Sequence, residues 1–226
     1  MNMRVVAIVP MRHDSERVPG KNFRMFNGRP LFHHIVETLL AVPQVDEVIV
    51  DTDSPLIAKG VSANFPDRVR VVPRPEHLRA GDIPMNDVLL NTIRHCEAKW
   101  YLQTHSTNPL LRAPTISRAL ADLGAHLPDK DSLFTVCRMQ TRLWWSATSA
   151  VNHVPGTLLR TQDLPPIYEE NSNMYVFSED SLRLSRNRIG RAPLMFEIDR
   201  LEAWDIDDEA DFLIGEFLHA KRGVTV

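Results

Sequence analysis

The 226-residue sequence is poor in several features that would mark particular protein classes. It has two cysteines, Cys96 and Cys137, with no partner at metal-ligand spacing and no Cys/His cluster. That excludes a disulfide framework and a zinc module, and both thiols read as reduced core residues of a cytoplasmic protein. No apolar run approaches the ~20 residues a membrane-spanning helix needs, and residues 1–10 read as a buried strand, not a secretion signal. Positive charge is not in excess: 26 Lys plus Arg stand against 29 Asp plus Glu, a formal charge of −3. With no aromatic-basic platform either, neither a nucleic acid nor a membrane surface is an expected partner. At 43% hydrophobic and 24% charged, the chain is too apolar for disorder. One globular domain spanning residues 1–226 is expected.

The hydrophobic pattern alternates between two kinds of element. Residues 5–10 (VVAIVP), 45–50, 70–72, 100–105 and 133–137 are short apolar runs of the sort buried on both faces of a sheet. Between them, residues 31–41, the segment from Ser54-Pro55, residues 86–96 and residues 113–123 carry helical spacing. Strand and helix in turn predict βαβ units and a mostly parallel sheet in a Rossmann-like three-layer α/β/α fold. The alternation breaks at residues 139–166, which hold Trp144, Trp145 and three prolines and read as an excursion from the core. Strands at 173–177 and 194–198 and a last helix over 208–220 follow. In such folds ligands bind beyond the carboxyl ends of the strands.

The loop after the first strand, Pro10-Met11-Arg12-His13-Asp14-Ser15-Glu16-Arg17-Val18-Pro19-Gly20-Lys21-Asn22, lies at such an end. Three cations and a small residue in one loop suit a polyphosphate, which needs fixed positive charge and close backbone N–H groups. A solvated surface loop is the plainer alternative. The loop is neither a Walker P-loop nor a dinucleotide fingerprint, since G-x-x-x-x-G-K-[ST] and G-x-G-x-x-G are both absent. Near the other terminus stands Trp204-Asp205-Ile206-Asp207-Asp208. If extended, Asp205 and Asp207 point to one side, an arrangement that suits Mg²⁺ completed by phosphate oxygens and water. One of these three aspartates is also expected to cap the following helix.

These segments resemble the CMP-sialic acid synthetase (acylneuraminate cytidylyltransferase) family. Its N-terminal signature I-P-A-R-x-x-S-x-R-x-P-x-K-N is matched at Pro10, Arg12, Ser15, Arg17, Pro19, Lys21 and Asn22. Further similarity runs in order along the chain. It includes Gly28-Arg29-Pro30-Leu31, Asp51-Thr52-Asp53-Ser54, Arg74-Pro75 through Asp82, and Thr107-Asn108-Pro109-Leu110. It continues at Gln162-Asp163-Leu164-Pro165, Glu170-Asn171-Ser172-Asn173-Met174-Tyr175 and Asp205-Ile206-Asp207.

The resemblance implies transfer of CMP from CTP to a nonulosonic (sialic-type) α-keto sugar acid, with release of pyrophosphate. It implies catalytic roles for Arg12, Lys21, Asp205 and Asp207. Nucleotide binding would fall to Arg12, Ser15, Arg17, Lys21, Asn22, Arg74 and Asp82, and Mg²⁺ to Asp205 and Asp207. Gln103, His105, Arg160 and Asn171 are the implied acceptor contacts. The family places a glutamine where His105 stands here, so either Gln103 takes its role, or His105 replaces it, or His105 is structural. The excursion at 139–166 matches in position the family's dimerisation and lid insertion, so a homodimer is expected. The alternatives are a nucleotidyltransferase for another sugar or sugar phosphate, and a non-catalytic nucleotide-binding partner subunit.

Overall fold

A computed structural model describes residues 4–222. Seven strands among them form one sheet: β1 (Val5–Met11), β2 (Val45–Thr52), β3 (Val69–Pro73), β4 (Trp100–Gln103), β5 (Ser132–Met139), β6 (Ile167–Phe177) and β7 (Pro193–Glu197). Their spatial order is β7-β5-β6-β4-β1-β2-β3. β1 runs parallel to β2 and β4, β2 to β3, and β5 to β7, whereas β6 is antiparallel to both its neighbours. The expected mostly parallel sheet is therefore present.

Side-chain alternation along β1 builds the three layers. Val5, Ala7 and Val9 face one side with Val48, Val50 and Leu102, and bury α1 (Leu31–Leu40), α2 (Pro55–Asn64) and α4 (Ala113–Ala125) through residues such as Phe32, Ile57 and Ile116. Val6 and Ile8 face the other side with Ile49, Tyr101 and Phe177, and bury α3 (Met85–Thr92) and α5 (Glu179–Ser185) through Leu89 and Leu182. A strand with two buried faces has no polar positions to spare, which is why residues 5–9 are uniformly apolar.

Several boundaries differ from the sequence expectation. The helix expected over 86–96 ends at Thr92 and tightens into a 3₁₀ turn, Ile93–His95. The strand expected at 173–177 begins at Ile167, with its pairing to β5 interrupted between Glu170 and Tyr175. Polar residues 168–172 hid that first half. The short helix α5 follows directly, with Ser178 and Ser181 capping one another reciprocally. Residues 140–166 carry a small hairpin, Trp144–Ser146 with Ser149–Ala150, off the main sheet. Its Trp145 is 79% exposed and Leu158 91% exposed, so the second tryptophan of the pair is not packed into the core.

The final helix α6 (Glu209–Ala220) lies over the first loop. Phe212 joins Val18, Phe26, Leu31 and Ile206 in a separate apolar cluster, which ties both ends of the chain together at the sheet's carboxyl edge. Asp208 caps this helix: its side chain accepts from Asp211 N, and Asp211 returns the contact to the Asp208 N–H.

Candidate active site

At the carboxyl edge of β1, β2 and β4 the structure forms a cleft of about 440 Å³. Its floor and one wall come from the first loop: Arg12, Ser15, Arg17, Lys21 and Asn22 all line it. The opposite side is made by Arg74 and by Gly81, Ile83 and Met85, and the far end by His105, Ser106, Thr107, Ser172, Asp205 and Asp207. A second hollow of about 620 Å³ adjoins it and shares Ser172, Asp205 and Asp207 as a common wall.

The loop is held at several points. The His13 N–H donates to Asp53 at 2.8 Å, and its ring stacks on Phe23. Gly20 adopts φ +65°, a left-handed conformation, and an added Cβ would stand 2.9 Å from the Phe23 ring. Asn22 bridges loop and sheet: its Nδ2 donates to the Arg12 carbonyl at 2.8 Å, and its Oδ1 accepts from Ser106 Oγ at 2.6 Å. Asn22 therefore spends its side chain on the protein itself. Arg12 lies across Gly81, where a Cβ would come within 2.9 Å of its Nη1.

Lys21 is buried and donates to the Ile206 carbonyl. Burial pulls its pKa below the ordinary lysine value, and the nearby carboxylates of Asp205 and Asp207 counter that pull. Burial likewise raises the Asp205 pKa, with Asp207 adding to the rise and the hydroxyls of Thr107 and Ser172 opposing it. Asp205 Oδ2 accepts from Ser172 Oγ at 3.1 Å, while its Oδ1 is buried with no partner among the described residues. Asp207 instead pairs with Arg17 at 2.7 Å in an exposed setting.

Arg74 is 3% exposed and grips Asp51, which is fully buried, at 2.6 Å. Asp51 also accepts from Thr92 Oγ1 at 2.6 Å. This network locks Arg74 at the cleft wall. Asp82 is exposed and does not line the cleft, although its neighbours Gly81 and Ile83 do.

The sequence-derived acceptor contacts separate. His105 lines the cleft, and Gln103 stands behind it, fully buried. Asn171 lines the adjoining hollow and accepts from Thr135 Oγ1 at 2.6 Å. Arg160 sits in the excursion, ion-paired to Asp163 at 2.7 Å and away from both hollows.

Ser172 stands where the family pattern has a glycine, a departure already legible in the sequence, and it hydrogen-bonds Asp205. One residue behind the far end was not singled out from sequence. Arg188 packs its guanidinium 3.6 Å from the Tyr175 ring centroid and donates to Gln103 at 2.6 Å. Nothing in the sequence separates Arg188 from Arg183, Arg186 and Arg191 around it.

With that geometry in view, the comparisons converge. The sequence is 24% identical over 97% of its length to a post-translational flagellin modification protein B of Campylobacter coli, covering 97% of it. It is 25% identical over 96% of its length to a CMP-N,N'-diacetyllegionaminic acid synthase of Legionella pneumophila, covering 96% of it. The fold matches a solved CMP:2-keto-3-deoxy-manno-octonic acid synthetase complexed with CTP at TM-score 0.73, 18% identity, covering 97% of this chain and 99% of the other. A 4-diphosphocytidyl-2C-methyl-D-erythritol synthase from Anaerococcus prevotii matches at TM-score 0.70 and 11% identity, covering 97% of each chain. A family model described as cytidylyltransferase matches residues 6–218. The chain belongs to the cytidylyltransferase family.

Proposed function

We propose that this protein transfers the CMP group of CTP to a nonulosonic, sialic-type α-keto sugar acid and releases pyrophosphate. The observation that carries the proposal is the single cleft in which three loop cations, Arg12, Arg17 and Lys21, face two carboxylates, Asp205 and Asp207. A nucleoside triphosphate needs the first group, and a cation shared with its phosphates needs the second.

In this reading the acceptor's hydroxyl oxygen attacks the α-phosphorus. The bond to that oxygen forms as the bond to the bridging α–β oxygen breaks, pyrophosphate leaves with both electrons of that bond, and the hydroxyl proton passes to water. Arg12 and Lys21 bind the triphosphate and neutralise the charge that grows on the leaving pyrophosphate. Ser15 and Arg17 support the same loop, and Asn22 holds it to the segment following β4 through Ser106. Arg74 borders the base from the opposite wall. The acceptor lies at the far end, between His105, Ser172 and Asp205. Fixing both reactants in one cleft removes much of the entropic barrier to their encounter.

Asp205 and Asp207 would hold Mg²⁺. The fit rests on the Oδ1 of Asp205, a hard anionic donor left without a hydrogen-bond partner among the described residues, with Asp207 lining the same cleft. Two carboxylates leave room for phosphate oxygens and water in the shell. When bound, the ion would screen phosphate charge and lower the pKa of a coordinated hydroxyl.

The excursion at 139–166 serves as a dimerisation arm in this reading. Trp145, Val154 and Leu158 are exposed apolar side chains on one segment, which two copies would cover mutually. Arg160, remote from its own cleft, would then reach the partner's. A cytoplasmic setting agrees with two unpaired thiols and with no helix among the described residues being long and apolar enough to cross a membrane.

The test is pyrophosphate release with each of the four NTPs against N-acylneuraminate, N,N'-diacetyllegionaminate and 3-deoxy-manno-octulosonate in the presence of Mg²⁺. Release with CTP and one of the two nine-carbon acids supports the proposal. Release with another NTP, release with the octulosonate alone, or none with CTP overturns it.

A further inference from the structure

A chain of three side chains runs from the buried side of β4 to the cleft. Arg188 Nη1 donates to Gln103 Oε1 at 2.6 Å, and Gln103 Nε2 lies 2.8 Å from His105 Nε2. The orientation of the Gln103 amide is fixed twice over. A guanidinium can only donate, so the group facing Arg188 is the amide oxygen. The Thr104 carbonyl can only accept, and it takes the amide nitrogen at 3.2 Å. The Gln103 amide therefore donates to His105, and His105 Nε2 accepts with a bare lone pair. The imidazole proton must then sit on Nδ1.

The surroundings enforce this state. Burial, then Arg188, then Lys21 push the His105 pKa down to about 3. An imidazolium would have two donors and none to receive the Gln103 amide. Arg188 itself is half-buried with its guanidinium over the Tyr175 ring, and among the described residues no carboxylate lies within ion-pair reach of it. Tyr175 is tied in turn to Glu170 through its hydroxyl at 2.7 Å. His105 Nδ1 has no partner among the described residues, and the residue lines the cleft beside Ser106, Thr107, Ser172 and Asp205.

We infer that His105 is a specificity-determining hydrogen-bond donor, presenting Nδ1–H to an oxygen of the acceptor, and that Gln103 and Arg188 are positioning residues that fix its tautomer. The inference rests on the proposed transfer reaction for the identity of the acceptor, but the tautomer follows from the protein alone. It also decides between the two side chains that compete for the acceptor: Gln103 is spent within the protein, and His105 faces the substrate. A side chain locked as a donor favours a carboxylate or a hydroxyl oxygen at that point over an ammonium or an amide N–H.

The experiment has two arms. Long-range ¹H–¹⁵N correlation spectra of the ¹⁵N-histidine-labelled protein read the tautomer directly. The expected result is a neutral Nδ1–H imidazole for His105 that does not titrate between pH 5 and 8. An Nε2–H tautomer, or titration near pH 6.5, overturns the inference. In the second arm Gln103→Glu places a carboxylate against His105, which then donates through Nε2. The expected result is a tautomer change with acceptor KM raised about tenfold or more and CTP KM within about twofold. Gln103→Met, which removes the amide donor and frees His105 to change tautomer, is the parallel variant if Gln103→Glu does not fold. His105→Gln, which restores an N–H donor, should keep more of the acceptor affinity than His105→Ala. An unchanged acceptor KM after the tautomer has flipped overturns the inference. If none of the three acids turns over, the transfer reaction fails separately, and the His105 Nδ1 shift on adding each acid at millimolar concentration reads the contact. No perturbation by any of them overturns the donor role.

Discussion

Lys21 Nζ donates to the carbonyl of Ile206, 185 residues further along the chain. The Ile206 N–H in turn donates to the Thr107 carbonyl at 2.9 Å. The segment carrying both cleft carboxylates is thereby fixed between the first loop and the end of β4. Removing the amine costs more than one charge. Lys21→Met should lower CTP-dependent pyrophosphate release by roughly 10²–10³-fold, the usual cost of a lost electrostatic donor. Steady-state kinetics with CTP varied checks this, and a loss below fivefold would contradict it.

Asp205 is a carboxylate held in the native state against the pull of burial. Its folded pKa lies above the unfolded value, so ionisation of the native protein is a destabilising term at neutral pH, and that term grows as pH rises above the unfolded value. Asp205→Asn should leave the melting temperature at pH 7 unchanged or higher, while activity falls by about 10²-fold or more. Paired thermal melts and activity assays separate the two effects. A large drop in stability would show that the carboxylate is structural.

Arg74 and Asp51 form a buried pair, 3% and 0% exposed. Arg74→Ala leaves Asp51 without a counter-charge and should destabilise the fold by about 3–5 kcal/mol. Asp51→Asn in the Arg74→Ala background should recover part of that loss. A double-mutant cycle by urea denaturation measures it, and additive single effects would contradict the pairing.

His105 and His219 both have pKa values pressed below the free imidazole, to about 3 and about 4, chiefly by burial. The unfolded chain binds a proton at each near pH 6.5 and the native chain does not. Stability therefore falls as pH drops below about 6.5, at a limiting rate of roughly 1.4 kcal/mol per pH unit for each group. Denaturation between pH 7.5 and 5 should show this loss, and His219→Gln should reduce its slope. A slope unchanged by that substitution would contradict the assignment.

Trp145 and Leu158 stand exposed on the arm. Trp145→Glu with Leu158→Ser should convert a dimer to a monomer in sedimentation equilibrium without altering the far-ultraviolet spectrum. A monomeric parent protein would contradict the arm's proposed role.

The fold was legible because its central strands have one allowed composition. Residues 5–9 face helices on both sides, so every position is apolar and the run reads as a parallel strand without ambiguity. β6 was half hidden because residues 167–170 pair with β5 while Tyr168, Glu169 and Glu170 expose their side chains. The helix after residue 85 was read too long because Ile93 keeps the apolar spacing while the backbone tightens into a 3₁₀ turn. In the site, Arg12, Lys21, Asp205 and Asp207 were visible because their chemistry is concentrated in short segments. Arg188 was invisible because its meaning lies entirely in what it touches: Gln103, 85 residues away, and the face of Tyr175. Asn22 was read as a ligand contact, but its amide is used to join Arg12 to Ser106, a pairing that exists only after folding.

The most direct test of the proposed reaction is ³¹P NMR of the protein with CTP, Mg²⁺ and the sugar acid that supports turnover. The three CTP resonances should decline together while pyrophosphate and a CMP phosphodiester grow in equal amounts, and Asp205→Asn should slow both by about 10²-fold or more. Appearance of CDP or orthophosphate, or CTP left intact with all three acids, would contradict the proposed reaction.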